Sequence, residues 1–182
     1  MKRDLGKKFN FLPHPVMMIG TFDENGKPNL MNAAWGGQYD YEEIFVSLSH
    51  HLTTDNLLKT KAFTVAFATK NTMVESDYFG IVSGNKEDKI AKANFHWHKG
   101  NYVNAPVFEE YPITLECEVS HFEDGILVGH VINMVADSEY LNEDDSINFE
   151  KLEIITYIST DHSYRVIGEK VGQAFSAGKK LK

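Results

Sequence analysis

Between Asn29 and Thr54 the chain reads NLMNAAWGGQYDYEEIFVSLSHHLTT, and its residue types suit a planar ring that carries an anionic tail. Asn29, Met31, Asn32, Ala33 and Ala34 lie on one extended segment, and the small residues at its end let a flat ring approach the backbone closely. Trp35 offers a stacking face and Gly36-Gly37 follows it. A second segment, Glu43 to Ser49, ends through Leu48 and Ser49 in a polar cluster of His50, His51, Thr53 and Thr54. That cluster opens a short helix, whose first N–H groups are unpaired and carry a partial positive charge, so hydroxyls and imidazoles there can help hold an anion. An ordinary cap needs one threonine; two exceed it, and of the pair Thr54 is the preferred donor.

A flat ring with a phosphate tail describes a flavin nucleotide better than most ligands. The motif N-x-M-N-x-A-W, then a strand, then S-x-x-H-x-T-x-x-N-L, resembles the flavin reductase-like FMN-binding proteins, the group that contains flavoredoxin. The resemblance runs from about Pro13 to the C-terminal segment. It implies an antiparallel split β-barrel of Greek-key type, a homodimer, and FMN near the subunit interface. It also favours a ring contact for Trp35, which alone would read as a core or interface tryptophan. Ser83-Gly84-Asn85-Lys86-Glu87-Asp88-Lys89 resembles the family's S-G-x-x-x-D-K segment, in which the lysine meets the flavin phosphate. Lys89 is the match; without the resemblance it would read as a solvated helix lysine, no different from Lys86.

Two further residues complete the set of cofactor contacts. His130 stands on an apolar strand face, where an imidazole is either a satisfied core group or a partner for the N1, O2 and N3–H edge of a flavin. Tyr164 is a candidate cover for the ring or its dimethylbenzene edge. His96 and His98 have metal-pair spacing only if they share a strand, and no nearby Asp or Cys completes a site, so loop histidines are the better reading. Cys117 reads as an inert packing residue.

These groups need a β framework to meet. Val16 to Asp23 and Pro28 to Ala34 read as strands joined by a hairpin at Glu24-Asn25-Gly26-Lys27. A helix is expected over Thr53 to Thr60, a central strand over Ala62 to Thr69, and a helix over Met73 to Phe79 behind a Thr72-x-x-Glu75 capping box. Gly80 to Asn85 reads as a turn, Lys86 to Ala93 as helix and Phe95 to Phe108 as loop with short extended pieces. Pro112 to Phe122 alternates, with Ile113, Leu115, Cys117 and Val119 inward. Asp124-Gly125 turns it into Ile126 to Ala136, where Ile126, Val128, Ile132 and Met134 share the apolar face of His130. A last strand runs over Leu152 to Ile158. Residues 38–41 read as a polar aromatic loop, and residues 1–12 as a basic arm. Hairpin-linked strands with a few short helices predict a mainly β fold, a closed or partly closed antiparallel barrel.

The 182 residues suit a single domain, 1–182. A formal net charge of −8 argues against nucleic acid, which demands clustered lysine and arginine. No segment has the apolar length of a membrane helix and the N-terminus lacks a signal core, so a cytoplasmic location is expected. The lone cysteine allows no intramolecular disulfide. No G-x-G-x-x-G follows a strand, so NAD(P)H would dock transiently on the flavin. No acid–base pair stands out and no catalytic residue is assigned; the cofactor would carry the reaction. With one phosphate pocket and no dinucleotide fingerprint, FMN is expected over FAD. The expected function is an oxidoreductase passing electrons from NAD(P)H through FMN to a flavin, iron or protein acceptor. The alternatives are a non-enzymatic FMN carrier, or a heme- or pyridoxal-phosphate-binding relative on the same barrel.

Overall fold

The computed structural model describes residues 1–7 and 11–181, so part of the expected basic arm lies outside the described residues. In chain order the main elements are β1 (Pro13–Pro15), β2 (Met17–Phe22), β3 (Pro28–Ala33), β4 (Gly36–Asp40), β5 (Glu43–Ser47), α1 (Leu52–Thr60), β6 (Ala62–Phe67), α2 (Met73–Ile81), α3 (Lys89–Ala93), β7 (Trp97–Lys99), β8 (Pro106–Phe108), β9 (Ile113–Glu123), β10 (Ile126–Ala136), α4 (Phe149–Leu152), β11 (Ile155–Ile158) and β12 (Ser163–Val166). Seven of the strands form one antiparallel sheet in the order β3-β2-β6-β9-β10-β5-β4. Its two edge strands, β3 and β4, are consecutive in sequence and separated only by Ala34 and Trp35. A link that short spans roughly 11 Å, so the sheet curls until its edges approach. The result is a curled antiparallel half-barrel with short helices outside it.

Alternation places the core on both sides of this wall. Met17, Ile19, Val46, Phe63, Val65, Cys117 and Leu127 fill the inside. Met18, Leu30, Ala66, Phe79, Phe108, Tyr111 and Ile155 form a second cluster outside it. β2 is buried along its full length, which is why its sequence, MMIGTF, is almost continuously apolar. The outer cluster is closed by α2, α3 and the small sheet β1-β11-β12.

The structure alters several local expectations. Residues 38–41 do not form a free loop: β4 runs to Asp40, and Tyr39 stands edge-on to Phe45. In the first hairpin only Gly26 takes a positive φ, and Asp23 Oδ1 accepts from the Asn25 and Lys27 N–H groups. Asp124 and Gly125 both take positive φ, as a tight two-residue turn between long strands requires. The Thr72-x-x-Glu75 box does not form; the Thr72 hydroxyl turns back and accepts from Thr69 N–H at 3.0 Å. On β9 the face expected to be solvated holds Thr114 and Glu116, both buried. On β10 the face carrying Ile126, His130, Ile132 and Met134 points away from the barrel interior, which takes Leu127 and Val131 instead. Both faces of β10 are apolar, so alternation reveals two faces without saying which is core. No helix among the described residues is long and apolar enough to cross a membrane.

Candidate functional site

A cleft of about 330 Å³ lies where β3, the first turn of α1, the end of α2 and the turn before α3 converge. Asn29, Met31, Asn32, His51, Thr53, Ser83, Gly84 and Lys89 all line it. Eight residues read from sequence, drawn from three separated segments, thus meet at one place.

Asn29 joins two walls of the cleft. It is buried on the edge strand β3, and its Nδ2 donates to Thr53 Oγ1 at 2.8 Å, which fixes the start of α1. Its Oδ1 lies against Gly84, where an added Cβ would collide with it, so glycine is what lets the 83–85 turn settle on β3. Three residues along, Asn32 Nδ2 donates to the Ser76 carbonyl at 2.9 Å and ties β3 to α2. Behind it Tyr164 donates to Asp77 Oδ1 at 2.8 Å, and burial with that carboxylate holds the phenol well above its usual range.

Lys89 is the first residue of α3, behind the Asp88 N-cap, whose Oδ1 accepts from Ala91 N–H at 3.1 Å. That bond, more than the nearby Lys27 ammonium, keeps the Asp88 carboxyl below its usual range. The Lys89 side chain is only 4% exposed. Its Nζ donates to the Phe79 carbonyl at 3.1 Å and lies 5.9 Å from the centre of the Phe79 ring. Among the described residues it has no carboxylate within ion-pair distance. Burial pushes its ammonium down to about 8. An amine buried without a counter-charge at the wall of a polar cleft is what an anion site needs and what a packing role would avoid. Lys86, by contrast, is exposed and lies outside the helix, which was expected from Lys86 and begins only at Lys89.

Other sequence-predicted residues are placed differently. Thr54 is buried with its hydroxyl committed: it donates to the His51 carbonyl at 2.6 Å and accepts from His51 N–H at 2.7 Å. Thr54 therefore closes a capping box on His51, the N-cap of α1, and Thr53 is the threonine that lines the cleft. Ser49 is exposed ahead of the helix, and Leu48 and Ala33 pack in the barrel interior. Ala34 and Trp35 form the link between β3 and β4, with Trp35 65% exposed. His130 is half-buried on β10, paired in register with Glu43 and Glu118, and lines no part of the cleft. Sequence reasoning missed Leu52, Phe79, the stretch Gly80–Val82, Asn85 and Asp55, whose carboxylate lies 3.0 Å from His50 Nε2. Asn85 was within reach as a neighbour of Ser83-Gly84; the α2 terminus carried no signal because it was read as a turn.

Comparison with known proteins bears on the whole arrangement. Residues 9–160 match the model of the flavin reductase like domain. Flavoredoxin of Desulfovibrio vulgaris (Miyazaki F) is 31% identical with a TM-score of 0.93, over 98% of this chain and 100% of that one. Flavoredoxin of Methanosarcina acetivorans is 27% identical with a TM-score of 0.89, over the full length of both chains. An uncharacterized protein of Archaeoglobus fulgidus is 26% identical over 131 residues, 68% of this chain and 74% of that protein. The curled sheet is thus the flavoredoxin split barrel, and the chain belongs to the flavin reductase like domain family.

Proposed function

We propose that the protein is an FMN-binding oxidoreductase, a single-domain cytoplasmic homodimer that passes electrons from NAD(P)H to a flavin, iron or protein acceptor. The observation that carries this reading is Lys89, a buried amine without a carboxylate partner among the described residues, at the wall of the cleft. The residues present fit a phosphate monoester. Lys89 supplies the cation, the first turn of α1 supplies its partial positive charge, and Thr53, Ser83 and Asn85 supply polar groups. One such cation suits the single phosphate of FMN. Asn29 and Gly84 hold the walls at fixed spacing, and Met31 and Asn32 extend the floor toward Ala34 and Trp35, where the ring would lie. Bound FMN would supply the chemistry, taking hydride from a nicotinamide and releasing electrons to the acceptor. The protein's part is to bind and orient.

The dimer is supported by apolar side chains left at the surface along β10 (Ile126, Ile132 and Met134) and from the β3–β4 link to just past the end of β4 (Trp35, Tyr39 and Tyr41). A second reading, an FMN carrier without its own nicotinamide oxidation, is favoured by the two flavoredoxins at 31% and 27% identity. NAD(P)H oxidation measured with and without added FMN separates the two. Turnover that depends on FMN supports the reductase; flavin that binds but is not reduced by either nicotinamide supports the carrier.

A further inference from the structure

The C-terminal arm makes almost no use of the body that carries it. Every residue from Gly168 to Leu181 is exposed, and the large apolar side chains Val171, Phe175 and Leu181 are 93%, 99% and 95% exposed. Such values are far from what a monomeric surface tolerates over so short a stretch. Yet the arm has a defined shape. Ile167 N–H donates to the Ile154 carbonyl at its root. Beyond that point, among the described residues, its hydrogen bonds are its own: Ser176 and Ala177 N–H donate to the Gln173 carbonyl, and Lys179 N–H to that of Ser176. Phe175 has φ 59°, a left-handed conformation that costs a bulky residue energy unless something holds it.

The arm's chemistry also runs against that of the chain. It carries Lys170, Lys179, Lys180 and Lys182 against the single acid Glu169, in a protein of formal net charge −8. A matching surface exists on the same chain. An open groove of about 840 Å³ between α4 and the root of the arm is lined by Ile147, Phe149, Val166 and Ile167 together with Glu150, Glu169, Lys170 and Glu153, which pairs with Lys70 at 2.8 Å. Phe149 on its floor is 60% exposed. With three carboxylates against one lysine in its lining, this partly apolar groove complements an apolar arm with a basic end.

We infer that the arm docks on a second copy of this chain. Residues 168–181 of one protomer lie along the α4 groove of the other, with Val171 and Phe175 on the floor and Lys179 and Lys180 at the rim. One two-fold axis satisfies both arms at once, because each copy offers an arm and a groove. The inference rests on the homodimer proposed above and adds to it the element that is exchanged.

The test uses the full chain with a photo-cross-linking phenylalanine analogue at position 175, a site whose exposure leaves room for it. Light and heavy-isotope copies are mixed under dimer-forming conditions, irradiated and mapped by mass spectrometry. The expected result is cross-links joining position 175 of one isotope to residues 147–167 of the other. In parallel, Val171→Ser with Phe175→Ser should raise the dimer dissociation constant roughly tenfold or more. A dimer by sedimentation whose cross-links stay within one chain, or are absent, overturns the arm exchange and leaves the dimer standing. A monomer by sedimentation overturns both.

Discussion

Lys89 sets the energetics of the site through a conflict between stability and binding. Its buried ammonium titrates near 8 because burial disfavours the charged form. Its folded value lies below the unfolded one, so between about 8 and the ordinary lysine value of 10.5 the unfolded chain holds more protons. Ligand-free protein should therefore gain stability as pH rises through that window, and the cost of the buried charge is complete below it. Lys89→Met removes that charge at similar volume. We expect it to raise the melting temperature of ligand-free protein at pH 7, by about 2–4 °C for each kcal/mol relieved, with the difference fading by about pH 10. The same variant should weaken FMN binding about ten- to a hundred-fold, as loss of a charge-assisted bond to phosphate implies, and leave riboflavin unaffected. Fluorescence titration of both flavins beside Lys86→Ala as control measures this. Equal small losses from the two lysine variants would mean that neither meets the phosphate. In the wild type, FMN affinity should fall as pH rises above about 8 while riboflavin affinity stays flat, since only the charged amine pairs with phosphate. Only the resemblance to the family's S-G-x-x-x-D-K segment singled out Lys89. Its burial was not legible, because burial depends on Phe79 and Asn29 from other elements. Which of Thr54 and Thr53 lines the cleft was hidden for a similar reason: sequence shows two hydroxyls at a helix start but not which one turns back onto the His51 backbone.

The elements around the cleft act as clamped walls. β3, α1 and the 83–85 turn are joined through the one side chain of Asn29. Gly84→Ala would drive its new Cβ into Asn29 Oδ1, displacing the amide that fixes Thr53. We expect about 1–3 kcal/mol of destabilisation, as for other overpacked sites, together with weaker binding of both FMN and riboflavin. In an Asn29→Ala background the collision with Oδ1 disappears and only the 3.0 Å approach to Leu52 Cδ2 remains, so part of the Gly84→Ala penalty should vanish; a double-mutant cycle by thermal denaturation reads that coupling. Additive penalties would show that the turn is held by something other than Asn29. Strands β2, β3, β6, β9 and β10 were legible within a residue or two at most ends because hairpin turns and alternation mark them. β4 was not, since Gly-Gly-Gln-Tyr-Asp lacks an apolar period and is ordered by pairing with β5. The orientation of β10 was also hidden, because it is apolar on both faces and its register shifts twice against β9.

For the whole molecule, the split barrel and its family were readable from the order of the motifs, and the two flavoredoxin structures match that reading over nearly all of the chain. What the chain does with its surface was less visible, since the exposure of Trp35, Ile132 and Met134 follows from the curl of the sheet rather than from local pattern. Those side chains argue for a dimer. Sedimentation equilibrium should show a homodimer, and a monomer with full flavin occupancy would contradict it. The central claim is that the Lys89 cleft holds one FMN per chain. The most direct measurement is mass spectrometry of ligand released by denaturation, from protein as purified and after reconstitution with a mixture of FMN, FAD and riboflavin. FMN at close to one per chain, lost selectively in Lys89→Met, is the expected result; FAD alone, or no flavin retained after reconstitution, would contradict it.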